Sequence, residues 1–192
     1  MSIQNFKECV DKGDVLGAIL SISSMGDLSS WREELNNDTP LTHATYGGLP
    51  SVVVALLNAG ADVTVHDSLT FTAIHLAAYK GSDDIVRALL QHGVQVDMRD
   101  GHGRTALHHA CEAGKTDIVK LLLDSGSGIE KTEHRGWTPL HFASHRGHLD
   151  VAKLLLEAGA NAKSMSGRNL TPLAMAAKNS HHSIVELLKT YI

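Results

Sequence analysis

Residues 138–143 read Thr138-Pro139-Leu140-His141-Phe142-Ala143, and the first four positions of this stretch recur along the chain. The related phrases begin at Thr39, Thr72, Thr105 and Thr171. Each phrase starts 33 residues after the one before it, with no insertion. A strict period of this length is typical of proteins that stack supersecondary units in a row, and it argues against a single closed core.

Two sets of glycines keep the same period. One set lies nine residues after each of the first four threonines: Gly48, Gly81, Gly114 and Gly147. The other set closes each unit: Gly60, Gly93, Gly126 and Gly159. Between them lie apolar pairs such as Ile118-Val119 and Leu122-Leu123, which cover a wide stripe on one side of a helix. Each unit is therefore predicted to hold a short helix, a tight turn and a second helix.

The residues around each threonine support this interpretation. Threonine is a good N-cap, and proline suits the first helical position, where no amide hydrogen is needed. Acidic residues stand five positions before the next threonine at Asp67, Asp100 and Glu133, and Gly103 and Gly136 stand two positions before it. This pattern predicts a hairpin-like finger between units.

At this point the chain resembles the ankyrin-repeat family, most clearly at residues 138–143 and at Gly159-Ala160-Asn161-Ala162. The resemblance covers about residues 35–192. It implies an all-α repeat solenoid of stacked helix-turn-helix ankyrin repeats with β-hairpin-like fingers. We expect one domain over residues 1–192, divided into a degenerate N-terminal capping repeat (1–38), four repeats (39–71, 72–104, 105–137, 138–170) and a C-terminal capping repeat (171–192).

Composition limits the classes of protein that fit. The two cysteines, Cys9 and Cys111, fall in different units, so no disulfide framework is implied, and both are expected to be small buried fillers. No apolar run is long enough to span a membrane, and residues 1–6 lack the pattern of a secretory signal. We expect a cytoplasmic protein, with the nucleus as a second compartment.

The family resemblance also implies where a partner binds, because ankyrin repeats usually meet partners on the finger tips and on the exposed side of the first helix. Carried onto this chain, the pattern gives the following candidate residues: Tyr46, Phe71, Tyr79, Lys80, Arg99, His102, Arg104, His134, Arg135, Trp137, His145, Arg146, Arg168 and Lys178. The finger and first-helix positions hold seven Lys or Arg and one acid, Glu112, a balance of +6 in a chain whose formal net charge is −4.

This charge asymmetry favours a basic concave surface with aromatic anchors that receives an acidic or phosphorylated protein segment. Histidines on the surface would add positive charge as the pH falls through ~6.5. Three alternatives stay open at this point. The cations could serve only solubility, and Trp137 could pack between adjacent fingers. The same basic residues could also bind nucleic acid or phosphoinositides.

Other chemistries are disfavoured. His141 and His145 have the i, i+4 spacing of metal ligands, but the resemblance implies that His75, His108 and His141 are structural and hold helix and finger together. We therefore expect no metal and no cofactor. No nucleophile elbow, phosphate loop or dinucleotide-binding motif is present, so no enzymatic activity is expected. The C-terminal Thr190-Tyr191-Ile192 resembles a PDZ ligand. The predicted function is a monomeric protein-binding module, an adaptor, scaffold or regulatory binder.

Overall fold

The computed structural model describes residues 3–23 and 38–192, and these residues form twelve α-helices and no strand. The helices are α1 (Ile3–Lys12), α2 (Val15–Ser23), α3 (Pro40–Tyr46), α4 (Pro50–Asn58), α5 (Ala73–Lys80), α6 (Asp83–Gln91), α7 (Ala106–Glu112), α8 (Thr116–Asp124), α9 (Pro139–Arg146), α10 (Leu149–Glu157), α11 (Pro172–Lys178) and α12 (His182–Lys189). The all-α repeat architecture is as predicted. Residues 24–37, in the C-terminal part of the predicted N-terminal capping repeat, lie outside the described residues.

The first helices α3, α7, α9 and α11 each begin at a threonine cap. Thr39 has an extended backbone, and its hydroxyl accepts a hydrogen bond from the Thr42 amide at 3.1 Å. The Thr42 hydroxyl accepts in return from the Thr39 amide at 2.8 Å, which completes a capping box. Pro40 occupies the first helical turn. The predicted role of the repeated Thr-Pro pair is thus confirmed.

The turn between the two helices of a repeat requires a left-handed residue. Gly114 and Gly147 have φ of 70° and 83°, and Ser180 takes the equivalent conformation at 61° in the last copy. A second constraint acts at Gly114, since a Cβ there would lie 2.6 Å from the imidazole of His148. His148 Nε2 lies 3.0 Å from the Glu112 carbonyl, so the ring closes over the turn of the preceding repeat.

The chain divides into two compact units. The first holds the described residues up to 77 together with 82–95, and the second holds 78–81 and 96–192. In the first unit α1 packs on α2 and α3, and α4 packs on α2, α3 and α6. Its core includes Phe6, Leu41, Leu56, Ile85 and Leu89, all fully buried.

The second unit has two layers of helices. Its first helices, α7, α9 and α11, contact one another in series, and its second helices, α8, α10 and α12, do the same. Its largest fully buried side chains come from both layers: Leu107, Ile118, Leu122, Leu140, Leu155 and Ile184. The predicted apolar stripe of the second helices therefore forms the core, although Leu90 and Leu123 are only half-buried.

The two cysteines differ in their surroundings. Cys111 is fully buried in α7, as predicted, and burial raises the pKa of its thiol. Cys9 is only half-buried on α1, so the prediction that it is buried like Cys111 is wrong in the extent of burial.

In the part of the chain that the structure describes, no helix has the length and hydrophobicity needed to cross a membrane.

Candidate partner-binding surface

The fingers of the second unit are tight turns closed by backbone hydrogen bonds. In the finger that begins at Asp100, the Asp100 amide donates to the Arg104 carbonyl at 2.8 Å, and the Gly103 amide donates to the Asp100 carbonyl at 2.9 Å. The fingers that begin at Glu133 and Ser166 repeat both bonds. The predicted hairpin-like shape is present as a turn. In the last finger Asn169 adopts the left-handed conformation that glycine supplies in the others.

Buried carboxylates hold two of these fingers from inside. Asp100 Oδ1 accepts from the amides of His102 and Arg104, each at 2.8 Å, and Asp100 Oδ2 lies 2.8 Å from His109 Nε2. Burial alone would raise the pKa of the Asp100 carboxyl, but these hydrogen bonds outweigh it and hold the pKa well below its usual range. Glu133 Oε1 accepts from Arg135 and Trp137 in the same way.

The histidines of the repeated phrase tie each helix to the finger that ends its repeat. The Thr105 amide donates to His108 Nδ1 at 3.0 Å, so the ring proton is on Nε2, which donates to the Trp137 carbonyl at 3.1 Å. His141 bonds in the same way to Thr138 and to the Leu170 carbonyl. The structural role implied by the family resemblance is confirmed for both histidines in this unit.

These bonds have a consequence for stability against pH. Burial lowers the pKa of His108 from 6.5 to about 4. Between these values the unfolded chain binds more protons than the folded chain, so stability present above pH 6.5 is lost as the pH falls. We expect His108 to remove about 2–3 kcal/mol of unfolding free energy between pH 7 and pH 4.5. Urea denaturation at several pH values should show that His108→Gln loses less unfolding free energy than the parent protein as the pH falls. His182→Gln, an exposed control on α12, should match the parent protein. If the unfolding free energy depends on pH equally in all three proteins, His108 is not the cause of the loss.

The three fingers also bond to one another. The His134 amide donates to the His102 carbonyl at 3.2 Å, and the Gly167 amide donates to the Arg135 carbonyl at 2.8 Å. Arg99 Nη1 donates to the carbonyls of Gly103 and Thr132. The exposed Arg99 side chain therefore links two adjacent fingers, in addition to any role in binding a partner. We call the surface made by fingers 99–104, 132–137 and 165–170 with the adjoining sides of α7, α9 and α11 the finger face.

Two predicted cations of the finger face share one acid. Arg104 Nη1 lies 2.8 Å from Glu112 Oε2, and Arg146 bonds to the other carboxylate oxygen. Burial acts to raise the pKa of Glu112, and the two arginines outweigh it, so this pKa is lowered. The Arg104 guanidinium also lies 4.8 Å from the centre of the Phe142 ring. Glu112 therefore neutralises part of the positive charge that the sequence analysis assigned to Arg104 and Arg146.

Charge is left available at the other end of the finger face, around a cleft of about 150 Å³. It is lined by Arg135, Trp137, His145, Arg168, Leu170, Met175, Lys178 and Asn179. Arg168 and Lys178 are exposed and have no ion-pair partner within residues 3–23 and 38–192. Arg135 is 63% exposed and lies 3.7 Å from Glu133. None of the eight described lining residues carries a carboxylate.

The indole of Trp137 forms part of the floor of this cleft. It is half-buried, and it packs edge-on against Phe142 at 5.0 Å and His145 at 5.2 Å between ring centres. Arg135 lies over it at 5.8 Å. Trp137 thus contacts the helix α9 below its finger while part of it remains open to a partner.

His145 is less suited to sensing pH than the sequence suggests. Its Nδ1 lies 3.0 Å from Asn179 Nδ2 and accepts that bond when the ring is neutral. Burial and the neighbouring charge of Arg146 lower its pKa below 6.5. Any charge that His145 adds to the finger face therefore develops at lower pH than expected from an ordinary imidazole.

The remaining candidate residues lie outside this cleft. Tyr79 and Lys80 are exposed at the end of α5, and Tyr79 meets the His109 ring edge-on at 6.5 Å. His102 and His134 are exposed at the finger tips. Tyr46 and Phe71 belong to the first unit, where Tyr46 is exposed at the end of α3 and Phe71 is half-buried beside Asp67. The structure thus brings Arg135, Trp137, His145, Arg168 and Lys178 together.

Sequence reasoning missed Met175, which lines the cleft, and Phe142, which packs against Trp137. Both stand four residues after the threonine of their repeat, where the other copies carry His43, Leu76 and His109. The available signal was that this position varies among repeats that are otherwise regular.

No group of three or more His, Cys, Asp or Glu side chains arranged for a metal occurs among the residues described.

Comparison with known families supports the repeat assignment. Three overlapping segments, residues 41–133, 96–166 and 126–191, each match a family model described as ankyrin repeats (3 copies). A comparison with curated protein sequences gives no match to this chain.

Proposed function

Because the chain belongs to the ankyrin-repeat family, we propose that it is a protein-binding module whose finger face recognises an acidic or phosphorylated segment of another protein. Ankyrin repeats are generally protein–protein interaction modules. The observation that carries the finer proposal is the cleft beside Trp137, where three cations surround an apolar floor and no lining residue is acidic. Adaptor, scaffold or regulatory roles in the cytoplasm are part of this proposal.

Electrostatics and rigidity both support binding of an acidic segment. Arginine can bind a carboxylate or a phosphate through two parallel hydrogen bonds, and Arg135 and Arg168 both extend from fingers that are fixed by internal bonds. A preformed receptor loses little conformational entropy on binding. Arg135 and Arg168 thus project from fingers that internal bonds hold in place before a partner binds.

A selection from a random peptide display library tests the proposal. We expect the selected peptides to be enriched in Asp and Glu, and we expect a triple variant with Arg135, Arg168 and Lys178 changed to Ser to lose at least tenfold in affinity for them. A control variant removes the same number of positive charges elsewhere in the unit, by changing three exposed lysines to Ser: Lys120, Lys153 and Lys163. It should bind the peptides with nearly the affinity of the parent protein.

Selected peptides without an excess of acid, or equal losses in the two triple variants, would contradict the proposal. Single-stranded oligonucleotides and phosphoinositide vesicles serve as competitors in the same assay. If either displaced the peptides at physiological salt with a steep salt dependence, the finger face would instead be a nucleic-acid or lipid surface.

A further inference from the structure

We infer that the cleft beside Trp137 is an anchor pocket for one aromatic side chain that is flanked by acidic residues in the partner segment. The inference rests on the proposed function and adds to it a defined occupant. The finger face as a whole accounts for attraction of an acidic segment, whereas the cleft accounts for the position at which that segment is held.

The size of the cleft selects the occupant. Its volume is about 150 Å³, and an apolar cavity of about that volume binds benzene in an engineered protein. A phenyl or phenol ring therefore fits. A methyl group would touch less of the apolar floor than a ring and would gain fewer dispersion contacts.

The floor of the cleft is suited to a ring. Met175 is buried in α11, and Trp137 and Leu170 are half-buried beside it. Thioether sulfur and indole both make favourable contacts with aromatic rings. These three residues come from two fingers and one helix, so the floor exists only where the repeats are stacked.

The rim of the cleft sets the surroundings of that ring. Arg135, Arg168 and Lys178 are exposed around the apolar floor, and the remaining polar residues of the lining, His145 and Asn179, carry no negative charge. A ring inserted alone would leave Arg168 and Lys178 without ion-pair partners among the described residues, and Arg135 with Glu133 at 3.7 Å. Carboxylates on either side of the ring in the bound segment would complement them.

The cleft is held open in this shape by contacts of its own. The Trp137 indole is fixed by Phe142 and His145. His145 is in turn bonded to Asn179, whose Nδ2 also donates to the Met175 carbonyl at 2.8 Å. The pocket therefore needs no rearrangement before a ring enters.

Trp137 supplies a direct readout for this inference. The chain has two tryptophans, and the other, Trp31, lies outside the described residues, so a Trp31→Phe background makes Trp137 the only reporter. The probes are synthetic peptides of seven residues with Glu on both sides of a central Phe or a central Ala. We expect the Phe peptide to bind at least tenfold more tightly and to shift Trp137 emission to shorter wavelength.

A second pair of variants locates the effect. Leu170→Glu places a carboxylate in the floor and should remove the preference for the Phe peptide, whereas Leu69→Glu, an exposed leucine of a different finger, should leave it unchanged. If Glu-rich peptides bind with equal affinity whether the central residue is Phe or Ala, the inference of an anchor pocket is wrong. The proposed binding of acidic segments by the finger face would still be supported. If neither peptide binds, and the display selection yields no acidic sequences, the proposed function itself fails.

Discussion

Leu122→Ala is expected to lower the unfolding free energy by about 2–5 kcal/mol. Leu122 lies in the C-terminal half of α8 and is fully buried between the two helical layers of the second unit. Alanine would remove apolar contacts and leave a cavity that the stacked neighbours cannot fill without moving. Urea denaturation followed by circular dichroism measures the loss.

The next residue provides the control for this prediction. Leu123 is a leucine in the same helix, and it is only half-buried. Leu123→Ala should therefore cost clearly less than Leu122→Ala, because less apolar surface is removed from water and no closed cavity forms. A loss at Leu122 below about half a kcal/mol, or an equal loss at both positions, would show that α8 turns a different face toward the core.

Gly136→Ala is expected to cost about 2–4 kcal/mol, from two separate causes. Gly136 has φ of 76°, a conformation that strains any residue with a Cβ. In addition, a Cβ there would lie 2.6 Å from the backbone nitrogen of Gly167 in the next finger. That nitrogen donates to the Arg135 carbonyl, so the methyl group would separate two bonded fingers.

Gly126→Ala separates the two causes. Gly126 has φ of 87°, and a methyl group on its Cα would meet no neighbouring atom within 4 Å, so this position retains the backbone strain without the clash. We expect a loss of about 1–2 kcal/mol there. The difference between the two losses, measured by urea denaturation, is the cost of forcing the methyl group between the two fingers. Equal losses would show that the contact between the fingers has no effect on stability.

Much of the fold was predictable because its determinants are local and repeated. The Thr cap, the glycine of the turn and the apolar stripe each act within one repeat, so the spacing of Thr105, Gly114 and Leu122 was enough to place helices α7 and α8. Cys9 is an exception, since its exposure depends on how the irregular first helices pack. The capping boundary near residue 38 remains a prediction.

The candidate site was less predictable because charge pairing is not local. Arg104 and Arg146 stand 8 and 34 residues from Glu112, and a count of charges could not tell that both converge on it. The same applies to Arg99, whose hydrogen bonds to finger carbonyls depend on the stacking of two repeats. The cluster around Trp137 could be named from its residue types, but its volume and its Met175 floor required the packed helices.

The buried carboxylates of Asp100 and Glu133 hold the turns through backbone amides, which every residue except proline supplies. His102 and Arg135 contribute only their amides to these bonds. A substitution at residue 102 or 135 therefore keeps the bond from its amide to the buried carboxylate, as long as the new residue is not proline. A lineage or a protein engineer could redirect the module to a new target by exchanging those few positions.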